Sequence, residues 1–253
     1  MSVRRPQLAP RAVTFDVGST LLCQPDGAAS KRARTELRTW LRSRGARVDR
    51  HHLRRLLAQA AAACPPEAGE RDVVAAAVER VLAALELRAT GRDRAELGWR
   101  LHALWLAPGE IAADGAVDAL SALRSEGIRL GIVSNRTWRP GRLAWRRLQA
   151  TGLAEFLEPA AIAWSDEVGV SKPRPEIFLT ALRALGASPR QAAHVGNSTA
   201  KDVVGARGVG MTAIRYAGVR DDTRDGPSAS AVIHHFAALP DVLGLPGGAA
   251  YAA

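Results

Sequence analysis

Length, composition and charge limit what this chain can be. Its 253 residues are enough to bury a substantial hydrophobic core, as one large domain or as a domain with an insertion. No stretch approaches the roughly 20 apolar residues of a membrane-spanning helix, and residues 1–11 lack the apolar centre of a secretory signal. We therefore expect a cytoplasmic protein that does not bind membranes, and its two cysteines, Cys23 and Cys64, make no disulfide framework.

Positive charge is concentrated in one segment of the chain. The formal net charge is +10, and residues 31–55 contain ten basic side chains against two acidic ones. Such a segment can attract an anionic substrate or a polyanion, although a solvated helical face explains it more simply. No recognised nucleic-acid motif accompanies the segment, so we do not expect the protein to bind nucleic acid.

The first predicted element is a short apolar strand, Ala12–Phe15, which is followed by Asp16 and by the turn residue Gly18. A carboxylate in this place is poorly suited to packing, but it is well suited to hold a nucleophile at the edge of a sheet. Residues 28–106 come next and are rich in alanine, leucine and arginine with helical spacing. They predict about four helices and no strand.

From about residue 111 the pattern alternates between helices and short apolar runs. Helices are predicted over residues 117–123, 142–148, 175–185 and 200–206, and strands over 128–133, 160–164, 192–195, 211–216 and 231–233. Strands that alternate with helices form parallel sheets covered on both faces. We therefore predict an α/β protein whose first strand joins the same sheet, with the helical block inserted after it.

Polar residues follow several of the predicted strands. Asp16 follows the first strand, Ser134 and Asn135 follow the second, and Asn197 follows a later one, while Lys172 opens the helix before it. In an open parallel sheet, ligands bind outside the carboxyl ends of the strands. We expect a carboxylate, a hydroxyl, an amide and an amine to meet in one crevice.

This set of groups suits phosphoryl transfer. A carboxylate such as Asp16 can attack phosphorus and form an acyl phosphate, which divides one difficult step into two. An anionic nucleophile meets an anionic phosphate, so positive charge has to stand beside both, and Lys172 and a metal ion could supply it. A site of carboxylate, carbonyl and amide oxygens suits Mg²⁺.

Four short segments occur in an order and at spacings that indicate a family: residues 15–21, 131–135, 172–178 and 194–206. Together they resemble the four motifs of the haloacid dehalogenase-like hydrolase superfamily, in its phosphatase-like branch. The resemblance implies a Rossmann-like core of residues 1–23 and 111–246 and an all-helical cap of residues 24–110 inserted after the first motif. Residues 247–253 are expected to form a disordered tail.

The resemblance also implies which residues bind the metal and carry the reaction. Asp16 would be the nucleophile and a magnesium ligand, and Gly18 would offer the metal its backbone carbonyl. Asn197 would take the place of a metal-binding carboxylate. Lys172 would neutralise the nucleophile and the charge that develops on the phosphate.

Further residues would position the substrate. The resemblance implies that Thr20, Ser134 and Asn135 hold the phosphate oxygens together with Lys172. Asp202 would lie behind this layer and orient Lys172 or a metal-bound water. The expected partner is a small phosphorylated metabolite.

Two departures from the family pattern affect the predicted chemistry. Family phosphatases usually carry aspartate at the position of Gly18, where it acts as general acid and base, a contribution of about 10²–10⁴ in rate. Without it, the substrate needs an acidic leaving group, a proton donor from the cap such as His51, His52 or His102, or a different reaction. Asn197 replaces a second family aspartate and predicts weaker Mg²⁺ binding.

Two alternatives remain beside a magnesium-dependent hydrolase of a small organic phosphate that forms an aspartyl-phosphate intermediate. A 2-haloacid dehalogenase needs no proton donor for its halide, but family dehalogenases have an aromatic residue at Gly18 and a shorter gap than that from Asn197 to Asp202. A non-catalytic binding protein on this fold would explain Gly18 and Asn197. It would not explain why Asp16 and Lys172 are retained.

Overall fold

The computed structural model describes residues 9–24, 27–62, 70–106, 110–136, 141–222 and 227–245. The chain forms two compact units. The core unit consists of residues 1–23, 110–135 and 147–253, and the helical unit of residues 24–109 and 136–146. Cys64 and the tail predicted at 247–253 lie outside the described residues.

The core unit is built on a parallel sheet. The strands of the core unit are β1 (Ala12–Phe15), β2 (Leu22–Cys23), β3 (Ile111–Ala112), β4 (Arg129–Ser134), β5 (Ile162–Trp164), β6 (Ala192–Gly196), β7 (Thr212–Tyr216) and β8 (Ala231–Ile233). Six of them pair in parallel in the order β5-β4-β1-β6-β7-β8, whereas β2 and β3 form a separate antiparallel pair. The predicted α/β fold and its six sheet strands are confirmed; the β2–β3 pair was not predicted, because its two-residue strands are too short to show a pattern.

Some helices cover the sheet of the core unit, and others make up the helical unit. They are α1 (Gly27–Ser43), α2 (Arg50–Ala62), α3 (Glu70–Ala84), α4 (Gly91–Leu106), α5 (Ala116–Ser125), α6 (Gly141–Ala150), α7 (Ser165–Val168), α8 (Pro175–Ala184), α9 (Val204–Val209) and α10 (Leu239–Val242). The helix predicted over 200–206 is a π-helical turn, Thr199–Val203, followed by α9. No helix in the described part of the chain is long and apolar enough to cross a bilayer.

Each face of the sheet has its own apolar layer. On one face, Ile177 and Phe178 of α8 are buried in a cluster with Ala12 and Val133. Side chains alternate across a strand, so Phe15 points to the opposite face from Ala12. There its ring lies 6.4 Å from that of Phe236. The sheet is therefore covered on both sides, which explains why all four residues of β1 are buried.

The helical unit has a core of its own. Leucine, valine and alanine side chains from α1 to α4, with Trp40 and Trp105, form one buried cluster. Leu143 at the beginning of α6 belongs to the same cluster, and residues 136–146 therefore group with this unit. The predicted boundaries had assigned those residues to the core, because a single leucine on a short helix does not reveal which apolar cluster it joins.

Candidate active site

Three neighbouring strands end side by side at the centre of the sheet. β1 lies between β4 and β6, with Phe15 opposite Ile132 on one side and Val195 on the other. The N–H of Asp16 continues the ladder by donating to the carbonyl of Val195 over 2.9 Å. The groups that follow β1, β4 and β6 therefore share one edge, as the sequence predicted.

Asp16 and Lys172 meet there, although 156 positions separate them in sequence. The Lys172 Nζ donates to Asp16 Oδ1 over 2.7 Å and to the carbonyl of Val133 over 2.7 Å. The Ser134 hydroxyl donates to the same Asp16 Oδ1 over 2.8 Å. Lys172 is 4% exposed and Asp16 8% exposed, so the pair is largely shielded from water.

Asp202 completes a buried charge triad with Asp16 and Lys172, its Oδ1 lying 2.6 Å from the Lys172 Nζ. Burial alone would lower the pKa of Lys172, but the charges of Asp16 and Asp202 outweigh it and hold this pKa above its ordinary value. Burial alone would raise the pKa of Asp202, yet Lys172 and His194 hold it well below the usual range. Asp202 is therefore ionised and Lys172 is charged at neutral pH.

Asn135 holds the main chain of Lys172 in place. The N–H of Lys172 donates to Asn135 Oδ1 over 2.7 Å, and Asn135 Nδ2 donates to the carbonyl of Lys172 over 3.0 Å. The peptide bond from Lys172 to Pro173 is cis. Sequence reasoning assigned Asn135 to the phosphate; the contacts in the structure are with the segment that carries the lysine.

His194 and Thr14 support Asp202 from within the sheet. They occupy paired positions on β6 and β1, and the Thr14 hydroxyl lies 2.9 Å from His194 Nδ1. His194 Nε2 lies 3.2 Å from Asp202 Oδ1. Burial lowers the pKa of His194, so we assign a neutral ring that accepts from Thr14 and donates to Asp202. Sequence reasoning gave neither residue a role; the signal was a histidine within an otherwise apolar run.

The loop after β6 is fixed by two aspartates. Asp202 Oδ2 accepts from the N–H of Ser198 over 2.8 Å. Asp222, which is 7% exposed, accepts from the N–H of Thr199 over 3.0 Å and from the Ser198 hydroxyl over 3.2 Å. Asp222 was missed by sequence reasoning, since it lies outside every motif and periodic segment.

Gly196 has to be glycine for this loop to close. A Cβ placed at Gly196 would lie 2.3 Å from the Asp202 Cγ, a distance that real Cβ atoms do not tolerate. The last residue of β6 therefore lets Asp202 approach the strand and reach the ammonium of Lys172.

The remaining predicted site residues lie in two turns. Gly18 is exposed, and a Cβ there would meet no atom within 4 Å. Thr20 is fully buried, and its hydroxyl has no hydrogen-bond partner in the described structure. Asn197 is half-buried, and among the described residues its side chain makes no hydrogen bond. Asn197 therefore has a polar group available to a ligand, whereas the Thr20 hydroxyl is buried without a partner.

The donor atoms in these segments fit a hard cation. The described residues contain no cluster of three or more histidine, cysteine or acidic side chains that could hold a metal. Asp16 Oδ2, however, has no protein partner there, and the Gly18 carbonyl and the Asn197 amide offer two further oxygens. Carbonyl, amide and carboxylate oxygens with water are ligands that Mg²⁺ accepts.

Similar proteins include phosphatases and a dehalogenase. The glyceraldehyde 3-phosphate phosphatase of Methanopyrus kandleri is 36% identical over 99 residues, 39% of this chain and 40% of the relative. The phosphoserine phosphatase of Thermus thermophilus is 38% identical over 95 residues, 38% of this chain and 36% of the relative. The chain thus matches about 40% of the length of these relatives.

The fold is shared with solved structures over nearly the whole chain. The 2-haloacid dehalogenase from Pseudomonas syringae superposes with a TM-score of 0.60 at 24% identity, covering 93% of this chain and 98% of that one. The profile of the haloacid dehalogenase-like hydrolases matches residues 10–210, which include all four motifs and the buried charge triad. The chain therefore belongs to the haloacid dehalogenase-like hydrolase family.

Proposed function

We propose that this protein hydrolyses a small phosphate monoester, with Asp16 as nucleophile and Mg²⁺ as cofactor. The observation that carries the proposal is the contact between Asp16 Oδ1 and the buried Lys172 ammonium at 2.7 Å. It orients the carboxylate and leaves Oδ2 without a hydrogen bond from the described residues. The lone pairs of Asp16 Oδ2 are therefore open to an electrophile such as phosphorus.

In the first half of the proposed reaction, the carboxylate of Asp16 attacks phosphorus. A bond forms between Asp16 and phosphorus, and the bond between phosphorus and the ester oxygen breaks. The ester oxygen leaves with the electron pair and takes a proton from solvent if it is basic. Lys172 offsets the negative charge that gathers at the nucleophile, and the Ser134 hydroxyl keeps the carboxylate in position.

In the second half, water attacks the phosphorus of the aspartyl phosphate. The bond from phosphorus to Asp16 breaks, and dihydrogen phosphate leaves with both hydrogens of the water. Gly18 provides no side chain that could activate this water or protonate the ester oxygen. Substrates with acidic leaving groups are therefore expected to react fastest.

Asp16, the Gly18 carbonyl and Asn197 are the residues proposed to hold Mg²⁺. When bound, Mg²⁺ neutralises charge on the phosphate oxygens and orients the phosphate. With all three groups ionised, the triad of Asp16, Lys172 and Asp202 has a net charge of −1. A bound cation would offset this negative charge. We expect weak binding, because only one of the three protein ligands is charged.

The names of the relatives support the substrate class. One acts on glyceraldehyde 3-phosphate and the other is a phosphoserine phosphatase, and both names denote small phosphate monoesters. A small phosphorylated metabolite is therefore the proposed substrate of this chain as well. The helical unit is proposed to be the cap of the family architecture.

The test is the change Asp16→Asn, assayed with p-nitrophenyl phosphate, whose leaving group needs little protonation. We expect turnover with Mg²⁺ to be at least about 1,000-fold lower in the variant than in the wild type. Losses of this order are expected when the amide of asparagine replaces a carboxylate that acts as covalent nucleophile. Chelation of Mg²⁺ should also abolish turnover. Asp118→Asn is the matched control, because Asp118 is an exposed residue of α5.

Three results would contradict the proposal. Equal activity of the wild type and Asp16→Asn would show that the nucleophile is misassigned. Release of chloride from a 2-chloroacid without Mg²⁺, with no phosphatase activity, would identify a dehalogenase. A folded protein that turns over neither compound across a panel of phosphorylated metabolites would be a binding protein.

A further inference from the structure

The helical unit contains a concave site formed by none of the residues of the proposed mechanism. It is a cavity of about 270 Å³ between α1 and the beginning of α2, lined by Lys31, Arg34, Thr35, Arg38 and Arg50. Four of the five lining residues are cations and none is acidic. The composition of the lining alone calls for an anionic occupant.

The arrangement on α1 concentrates this charge. Positions 31, 34, 35 and 38 are spaced as i, i+3, i+4 and i+7, so they share one face of the helix. Arg34 and Arg38 are one turn apart, and like charges at this spacing repel each other. Arg50, the first residue of α2, adds a further positive charge from a second helix.

Three other arginines of the helical unit are paired with acidic residues. Arg44 contacts Asp93 at 2.9 Å, Arg94 contacts Glu79 at 2.9 Å and Arg100 contacts Glu96 at 2.7 Å. Lys31, Arg38 and Arg50, in contrast, form no ion pair with any described residue. Lys31, Arg38 and Arg50 therefore bring uncompensated positive charge to this cavity.

Arg34 is partly buried and lies near the positive charge of Arg50. Burial lowers the pKa of its guanidinium, and the nearby charge of Arg50 lowers it further. An anion between the two arginines would offset that repulsion. The hydroxyl of Thr35 already donates to the carbonyl of Lys31 over 3.0 Å, so the side chains of Lys31, Arg38 and Arg50 are the donors that remain for an anion.

We propose that this cavity binds a small anion with a phosphate group, independently of the reaction at Asp16. Arginine forks match the oxygens of a phosphate group. The cavity has a volume of about 270 Å³. It admits an ion of the size of pyrophosphate or a small sugar phosphate.

The test measures binding of pyrophosphate to the 253-residue chain by calorimetry, without Mg²⁺. The double change Arg38→Gln with Arg50→Gln is expected to weaken binding at least tenfold. The matched control is Arg54→Gln with Arg55→Gln, which removes the same charge from two exposed positions of α2. The control should change the affinity less than twofold.

Three outcomes overturn the proposal. One is the absence of saturable pyrophosphate binding, and another is an equal loss in both double variants, which would indicate diffuse attraction by net charge. The third is tighter binding of duplex DNA that the Arg38 and Arg50 changes abolish, which would make nucleic acid the occupant. The Asp16→Asn variant should bind pyrophosphate in this cavity as the wild type does, so failure of the proposed catalysis leaves this test unaffected.

Discussion

Lys172 is the residue on which the electrostatics of the proposed site depend. It stands between Asp16 at 2.7 Å and Asp202 at 2.6 Å, and all three groups are buried. Removing one member of a buried ion pair leaves an uncompensated charge, which typically costs about 3–5 kcal/mol of stability. Any substitution of Lys172 therefore has to be judged by activity and stability together.

Gly18 offers the sharpest test at the level of single residues. It is exposed and a Cβ would meet nothing within 4 Å, so an aspartate can be introduced without a clash. We expect Gly18→Asp to raise kcat for an alkyl phosphate by about 10²-fold or more, because it supplies a general acid and base. Turnover of p-nitrophenyl phosphate should change far less.

The control for this experiment is Gly18→Asn, which has nearly the same shape and cannot exchange a proton. It should leave the preference for acidic leaving groups as it is in the wild type. Equal rates for alkyl and nitrophenyl phosphates in the wild type would show that another residue already donates the proton. The lack of an acid at Gly18 would then not limit the hydrolysis of alkyl phosphates.

At the scale of elements, α8 and α9 position the segments that carry Lys172 and Asp202. Gly205 of α9 faces Phe178 of α8, and a Cβ there would lie 2.4 Å from the Phe178 ring and 3.1 Å from the Pro173 Cα. Phe178 in turn packs edge-on against His194 at 5.1 Å between ring centroids. Close packing of these two helices thus connects directly to the buried triad.

Two glycines on α9 allow a matched comparison of this packing. We expect Gly205→Ala to lower the free energy of unfolding by about 1–3 kcal/mol, because the added methyl group overpacks the contact with Phe178. Gly208→Ala on the same helix meets nothing within 4 Å and should raise it by about 0.5–1 kcal/mol through helix propensity. Urea unfolding of both variants measures the two changes. Similar effects from both would contradict the close contact between Gly205 and Phe178.

At the scale of the whole molecule, the buried groups couple folding to pH. Burial lowers the pKa of His194 below its ordinary value of 6.5, against the opposing effect of Asp202. As pH falls, His194 therefore binds a proton near pH 6.5 in the unfolded chain, but only at a lower pH in the folded chain. The stability due to a neutral His194 is present above pH 6.5 and is lost as pH falls toward the folded pKa.

We expect the urea midpoint of the wild type to fall between pH 7 and pH 5, and to fall less in His194→Gln. The groups facing His194 are Asp202, Lys172 and Asp16, and the substitution leaves all three in place. His235→Gln, at an exposed position, is the control and should retain the slope of the wild type. If His194→Gln and the wild type lose stability in parallel, His194 does not carry this dependence.

Local pattern in the sequence was enough to predict the fold class and the order of strands along the chain. Apolar runs of three to six residues, separated by amphipathic helices, indicate a parallel sheet. Parallel strands end at a common edge, and for that reason the sequence predicted that Asp16 and Ser134 would meet there. Lys172 opens a helix, so its predicted place beside them does not follow from this rule. Their roles in catalysis remain proposals, as do the Mg²⁺ ligands.

Contacts between residues far apart in sequence were decided by the tertiary structure. Thr14 meets His194 because β1 and β6 pair in one register, and a shift of one residue would turn the histidine to the other face. Leu143 joins the helical unit, and Arg50 meets a face of α1. Periodicity shows which face of a helix or strand is apolar. It does not show which other element packs against that face, because this depends on the path of the chain in three dimensions.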